Sequence, residues 1–173
     1  MTSSRLPTMQ QLLAEMKTID FGYPLGDNVV ASPQDPVIVK ERLAAIGGDA
    51  VAAFQSFYAC CDGLSLPDVR NGYFIQSIAK LGVSRPDSDP KEVIGEFAGA
   101  VLAFGSMGNG GLFVVRRIES DVLYLPPGPL HDGVYDGRQT QVKRLAPDLN
   151  TFLGLLLDDV KAFVRDTPHQ YIV

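Results

Sequence analysis

The stretch that decides the fold is Val101–Arg117, which reads Val-Leu-Ala-Phe-Gly-Ser-Met-Gly-Asn-Gly-Gly-Leu-Phe-Val-Val-Arg-Arg. Two β-rich apolar runs, Val101–Phe104 and Leu112–Val115, flank Gly105–Gly111, where four glycines and an asparagine supply the positive φ angles that a chain reversal needs. Because each run is almost continuously apolar, we expect burial on both faces. The pattern predicts a β-hairpin at the centre of a sheet, with helices packed nearby.

Length and composition fit one folded domain around that sheet. The chain has 173 residues, 46% of them hydrophobic and 20% charged, which excludes a disordered or fibrous class. A chain of this size buries roughly 70% of the surface of its unfolded state. The net charge of −5 argues against nucleic-acid binding, which needs clustered Lys and Arg side chains to neutralise phosphates.

Cysteine usage and the lack of long apolar runs favour a cytoplasmic protein. Cys60 and Cys61 are adjacent, and neighbouring cysteines reach disulfide geometry only with strain. The opening Met-Thr-Ser-Ser-Arg contains no apolar signal core, and no run approaches the ~20 apolar residues that a membrane helix needs. We therefore expect a reducing compartment and no membrane contact.

Three helices are predicted before the hairpin, each from a capping signal followed by apolar residues at helical spacing. They begin at the cap residues Thr8, Asp35 and Asp49 and end near Ile19, Gly47 and Asp62. The first should bury a face that runs from Met9 to Ile19, and the second continues at helical spacing from Val37 to Ile46. The second and third should form a helical hairpin.

Strand signals occupy the middle of the chain and a long helix closes it. The predicted strands, besides the hairpin, are Val29-Val30, Leu64–Leu66, Tyr73–Ile78, Asp121–Leu125 and Gln141–Leu145, and two glycine-containing corners are expected around Val134-Tyr135. The cap-plus-proline signal Asp89-Pro90 predicts a short helix over Lys91–Phe97. The closing helix, capped by Asp148 or Asn150, carries a core-facing apolar stripe, with Asp158-Asp159 on its solvated face. This order predicts an α+β fold with a largely antiparallel sheet.

No stretch has the pattern of a catalytic centre. A strand rather than a helix follows Gly105–Gly111, so a turn is expected there and not a phosphate loop. Cys60 and Cys61 fall at the C-terminal end of a predicted helix, whose dipole disfavours a thiolate. His131, Asp132 and Asp136 bear metal-ligand atoms, but glycines interrupt the segment, which predicts a solvated turn instead.

Several stretches, taken in order, resemble the SUKH superfamily, the Smi/Knr-type group of cell-wall-assembly regulators and bacterial toxin-immunity proteins. The similar stretches are Ala50–Pro67, with Asp62-Gly63 where Asn-Gly is usual, then Phe104–Val115, Asp121–Tyr124 and Leu149–Leu157. Together they span roughly Val37–Val164. The resemblance implies an α+β domain over residues 35–166 with a central sheet flanked by helices. A helix-and-loop extension, 1–34, would precede it, and a frayed or loosely docked tail, 167–173, would follow.

The resemblance also implies a function. It indicates a non-enzymatic protein-binding module without a cofactor, acting as an immunity protein against a bacterial toxin or as a related regulatory adaptor. A basic toxin such as a nuclease would be steered towards a chain of charge −5. No nucleic-acid or membrane partner is expected, and the chain should be a monomer or a weak homo-oligomer.

The binding surface is expected to combine the turn after the third helix with the loops Gly105–Gly111 and Leu130–Gly137, at one edge of the sheet. Its candidate residues are Asp62, Gly63, Asn109, His131, Asp132, Tyr135 and Asp136. The segment Ala79–Pro90, polar and proline-containing, is expected to be mobile.

Two other functions remain open from the sequence. A small-ligand-binding regulatory domain would use a pocket bounded by Tyr73, Tyr124 and Tyr135, because aromatic walls with hydroxyl tips suit such sites. An enzyme would use His131 and Asp132.

Overall fold

A computed structural model describes residues 5–48, 51–83, 88–168 and 172–173. The helices in these ranges are α1 (Arg5–Met16), α2 (Pro36–Ile46), α3 (Val51–Tyr58) and α4 (Leu149–Val164). The strands are β1 (Val29–Val30), β2 (Leu64–Leu66), β3 (Tyr73–Ile75), β4 (Glu92–Ile94), β5 (Gly99–Met107), β6 (Leu112–Arg116), β7 (Val122–Leu125), β8 (Leu130–His131), β9 (Val134–Asp136) and β10 (Lys143–Ala146). The chain is an α+β domain, as predicted.

The main sheet is antiparallel throughout and has the predicted hairpin at its centre. Its strand order is β1-β2-β3-β5-β6-β7-β10. Gly105 does not belong to the turn as expected, because β5 continues to Met107. A Cβ atom at Gly105 would lie 2.5 Å from the carbonyl oxygen of Phe74 on β3, so this glycine permits close approach of two strands.

All four helices pack on one face of this sheet and form the main hydrophobic core with it. Phe152 of α4 contacts Phe104 and Phe113 of the central hairpin, with ring centroids 5.6 and 5.0 Å apart. Helix α1 packs against α4 and buries Met9 and Leu12 in the same core. The segment before residue 35 therefore shares its core with the rest of the domain.

A second, smaller layer covers part of the other face of the main sheet. Strand β4 pairs with the start of β5 and runs parallel to β9, which forms a hairpin with β8. Asp132 and Gly133 both have positive φ, 53° and 79°, as the two-residue hairpin turn between β8 and β9 requires. A separate apolar cluster, which includes Val93 and Tyr135, fills the space between this layer and the main sheet.

The prediction of a helix over Lys91–Phe97 is wrong, because this segment contains β4. The cap-plus-proline signal at Asp89-Pro90 is local, whereas Val93 pairs with both Gly99 and Tyr135 and is fully buried between them. Long-range pairing of β-branched residues therefore overrides the local signal.

The capping signals of α2 and α4 are confirmed. Asp35 Oδ1 accepts a hydrogen bond from the backbone N of Val37 at 2.7 Å, and Asp148 Oδ1 accepts one from Thr151 N at 2.7 Å. The first cap is wrong, because Thr8 lies inside α1. The third predicted cap, Asp49, lies outside the described residues.

Two predicted helix faces differ from the observed ones. Ile19 was expected on the buried face of the first helix, but it lies beyond the end of α1 and is 39% exposed. Asp159 of α4 was expected in solvent, yet it is fully buried. Its Oδ2 accepts a hydrogen bond from Tyr73 Oη at 2.6 Å, and its Oδ1 lies 3.4 Å from Arg70 Nε. The buried carboxylate therefore has a hydrogen-bond donor and a cationic partner.

Among the described helices, none is long and apolar enough to cross a membrane.

Candidate functional site

The outer face of the main sheet, away from the helices, is only partly covered by the second layer. Register places four residues in one row across β1, β2, β3 and β5. These are Val29, Ser65, Phe74 and Ser106, each directly opposite the next. Their chain neighbours, such as Leu64 and Tyr73, point into the helical core, so the row lies on the opposite face. We call it the open row.

The open row forms the floor of a groove of 650 Å³. Phe74 and the two serines are half-buried, and Val29 at one rim is 46% exposed. The remaining lining is mixed in polarity and comes from Ala31, Asp62, Gly63, Leu64, Ile75, Gln76, Ser77, Ala79, Lys80 and Val83. The groove therefore offers an aromatic surface with hydroxyl and amide groups around it, which suits recognition of another molecule.

Two of the predicted site residues, Asp62 and Gly63, lie in this groove. Asp62 Oδ1 accepts a hydrogen bond from Ile78 N at 2.7 Å, and Asp62 Oδ2 accepts one from Gln34 Nε2 at 3.1 Å. Gly63 has a φ of 101°, and a Cβ atom there would lie 2.6 Å from the carbonyl oxygen of Ile75. Both residues therefore support the shape of the groove. Asp62 does so because both of its carboxylate oxygens have partners in the chain, and Gly63 because it allows the close approach to Ile75.

One wall of the groove is the turn that follows β3. Leu81 is fully buried and its backbone N donates to Ser77 O at 3.1 Å. Arg42 of α2 donates from Nη2 to the carbonyl oxygens of Ala79 and Leu81, at 3.4 and 3.5 Å. The start of the segment that the sequence predicts to be mobile is therefore anchored, while residues 84–87 lie outside the described ranges.

A smaller cavity of 190 Å³ adjoins the groove and shares Gln76 and Val83 with it. Its lining includes the charged side chains of Asp89, Lys91 and Arg117. The two cavities are therefore adjacent, with lining residues that extend from Val29 on β1 to Lys91 next to β4, and we call the pair the depression.

Asn109 lies in the β5–β6 turn, outside this depression. Its Nδ2 donates to Tyr124 Oη at 3.0 Å, and its Oδ1 accepts from Gly111 N at 2.9 Å, so the side chain closes the turn. The turn meets β3 at the end opposite to Gly63, because Gly108 N donates to Asn71 O at 2.8 Å. Asn109 and Asp62 are therefore at different ends of β3.

The remaining four candidates lie in the second layer. His131 and Asp132 are exposed on the β8–β9 hairpin, and Tyr135 is buried beneath it. Hydrogen bonds from the side chains of Arg138 and Gln139 hold the pKa of Asp136 well below its usual range. The three predicted segments do not meet at one edge of the sheet. The β8–β9 hairpin lies near the start of β5, because β9 pairs with β4 and β4 pairs with the first residues of β5, whereas Asn109 follows the end of β5.

The three tyrosines proposed for a ligand pocket do not face a common space. Tyr73 and Tyr124 belong to the helical core, whereas Tyr135 belongs to the cluster on the other face of the sheet. Each hydroxyl has a partner within the chain, Asp159 for Tyr73, Asn109 for Tyr124, and Pro126 O for Tyr135 at 2.6 Å. The prediction of a pocket bounded by these three tyrosines is therefore wrong.

Metal-ligand clusters are not found in the part of the chain that the structure describes. No three His, Cys, Asp or Glu side chains converge there, His131 and Asp132 included. Cys60 and Cys61 are both free, and burial raises the pKa of the Cys61 thiol to about 11. A protonated, buried thiol is a poor nucleophile.

The residues of the open row were missed by sequence reasoning. Serine in the middle of an apolar strand, at Ser65 and again at Ser106, was the available signal, because small polar residues there indicate a face without a covering layer. The sequence does not indicate that Phe74 is partly exposed, because a phenylalanine between Tyr73 and Ile75 is typical of a buried strand.

The chain matches no protein-family model, and no curated protein shows significant similarity to it.

Proposed function

We propose that this chain is a non-enzymatic protein-binding module of the SUKH type and that its partner binds in the groove over the open row. The observation that carries the proposal is the half-covered outer face, where Phe74 lies half-buried on the floor of a 650 Å³ groove that no described helix or strand covers. Aromatic side chains are enriched at the centres of protein interfaces, and a partly exposed phenylalanine can serve as an anchor there.

The proposed partner is a bacterial toxin, which makes the chain an immunity protein or a related regulatory adaptor. Two observations support this choice. The order of short motifs resembles the SUKH superfamily, and the net charge of −5 would speed encounter with a basic protein such as a nuclease.

A small-ligand-binding regulatory domain is the second candidate, and the volume of the groove favours it. A volume of 650 Å³ falls within the roughly 300–1,000 Å³ of small-molecule sites. Such sites bury most of their ligand, however, whereas Val29 and Val83 at the rims of this groove are 46% and 48% exposed. An open groove of this kind suits a protein surface better than a metabolite.

The test is affinity capture from native lysate with three versions of the tagged chain. These are the wild type, Phe74→Ala in the groove, and Leu155→Ala, a matched control at a 36% exposed position on α4. We expect one protein to be retained by the wild type and by Leu155→Ala and to be lost from Phe74→Ala. Release of that protein by high salt would support a basic partner. A protein that all three versions retain equally would contradict binding in the groove.

A further inference from the structure

Among the residues that the structure describes, cationic side chains outnumber carboxylates in the lining of the depression, in contrast to the chain as a whole. Lys80, Lys91 and Arg117 line it, against the two carboxylates of Asp62 and Asp89. Asp62 is buried and uses both oxygens on groups of the chain itself, at Ile78 N and Gln34 Nε2. Lys80 and Lys91 are exposed and thus available to a partner.

Arg117 is held in a fixed position beside the smaller cavity. Its Nη1 donates to the carbonyl oxygens of Ile46 and Gly47 at the end of α2, at 3.1 and 3.3 Å. Its backbone N donates to Ala100 O at 2.9 Å. Nε and Nη2 donate no hydrogen bond to any residue that the structure describes, so a preorganised guanidinium keeps donors for an incoming acceptor.

The small volume of this cavity suits a single side chain of a partner better than a free metabolite. At 190 Å³ it is smaller than the roughly 300–1,000 Å³ of small-molecule sites, and it shares Gln76 and Val83 with the groove beside it. A short carboxylate side chain that belongs to a segment lying in the groove would reach the cavity between Lys91 and Arg117.

We propose that the groove takes a protein segment that places an apolar side chain on Phe74 and a Glu or Asp side chain in the adjoining cavity, between Lys91 and Arg117. This inference rests on the proposed function, and it adds the chemistry of the bound segment. It is compatible with a partner that is basic overall. Net charge governs encounter at a distance, whereas local charges decide which segment is accommodated after contact.

The test is selection of binders from an unbiased displayed library of random peptides, with the wild-type chain as bait. Selected peptides are then titrated, by fluorescence polarisation, against three groups of variants. The double variant Lys80→Glu/Lys91→Glu, which we call the groove lysine variant, reverses the charge of Lys80 in the groove and of Lys91 in the adjoining cavity. Lys143→Glu/Lys161→Glu makes the same change of net charge at exposed positions on β10 and α4. Phe74→Ala and Ser65→Gln alter the groove without changing its charge. Phe74→Ala removes the aromatic side chain from the floor, and Ser65→Gln places a larger side chain in the groove.

We expect peptides that combine an apolar residue with an excess of Glu and Asp. The groove lysine variant should weaken their binding at least about tenfold, and the control double variant less than about twofold. Replacement of the peptide acid by Gln or Asn should weaken binding to the wild type and strengthen binding to the groove lysine variant, because it removes the repulsion between the peptide acid and the new glutamates.

The outcomes separate this inference from the proposed function. Peptides that lose binding to Phe74→Ala and Ser65→Gln, but carry no acid or ignore the lysine reversal, would overturn the acidic segment and leave the groove as the binding site. Peptides that bind both groove variants as tightly as the wild type, or a selection that yields no binder, would contradict both.

Discussion

The backbone N of Ile78 donates a buried hydrogen bond of 2.7 Å to Oδ1 of Asp62, and this bond ties the end of the α3–β2 connection to the turn that walls the groove. Asp62 was predicted to bind a partner. Its carboxylate instead satisfies a backbone donor that would otherwise be buried without an acceptor, so we assign it to the support of the site.

Asp62→Ala should therefore lower the free energy of unfolding by about 1–3 kcal/mol, because the N–H of Ile78 would lose its acceptor. Asp62→Asn keeps an oxygen at Oδ1 and should cost clearly less. Urea denaturation of the two variants and the wild type makes the comparison. Equal loss in both variants would show that the charge of Asp62, and not its role as acceptor, stabilises the fold.

Gly63→Ala should destabilise the chain by at least about 1–3 kcal/mol, because it combines a positive φ with a collision against a neighbouring strand. The φ is 101°, and the new Cβ would lie 2.6 Å from Ile75 O. Gly22→Ala is the matched control, since Gly22 has a φ of 74° with nothing within 4 Å of its Cβ position. Denaturation midpoints that fall equally in both variants would assign the whole cost to φ and none to the close approach.

Phe152→Ala should cost roughly 2–5 kcal/mol, because it opens a cavity where α4 meets the central hairpin. Phe152 is fully buried against Phe104 and Phe113. Leu155→Ala, on the 36% exposed side of the same helix, should cost less than about 1 kcal/mol. Thermal and urea unfolding of both variants would test the assignment of the core face, and similar losses would contradict it.

Stability should fall as the pH rises above 9, in part because of Cys61. Burial raises the pKa of its thiol from 9.0 to about 11, so the unfolded chain ionises Cys61 first. The contribution is fully present below pH 9 and is lost as the pH rises through 11. Relative to Cys61→Ala, the wild type should lose about 1 kcal/mol between pH 8 and pH 10.

The measurement is urea unfolding of both proteins across that interval, with a reductant present. Burial also raises the pKa of the hydroxyls of Tyr58 and Tyr73, but from an ordinary value of 10.0, and these residues are common to both proteins. A stability difference between the two proteins that is constant with pH would show that the thiol ionises equally in both states.

Much of the fold follows from local signals in the sequence. The β5–β6 hairpin was predictable because its strands are apolar throughout and its turn is rich in glycine. The starts of α2 and α4 were predictable because each cap is a bond between residues two or three positions apart, as at Asp35 and Asp148. Such interactions need no knowledge of the tertiary structure.

The errors share a different cause, which is dependence on partners far along the chain. Strand β4 exists because β5 and β9 flank it, and Asp159 is buried because Tyr73, 86 positions away, donates to it. The candidate site shows the same difference between residues fixed by local signals and residues that depend on distant partners. Asp62 and Gly63 were found from the motif after α3, whereas the role of Phe74 depends on which half of the outer face the second layer leaves open.

The most direct test of the central claim is photocrosslinking from the floor of the groove. Phe74 would be replaced by p-azidophenylalanine, and Tyr23 by the same residue as the control. Tyr23 is 51% exposed and contacts Phe21, which stacks on Phe163 of α4 on the helical side of the molecule. After irradiation in native lysate, we predict one protein adduct from position 74 and none from position 23. An adduct from position 23 alone, or none from position 74, would contradict the groove as the binding surface.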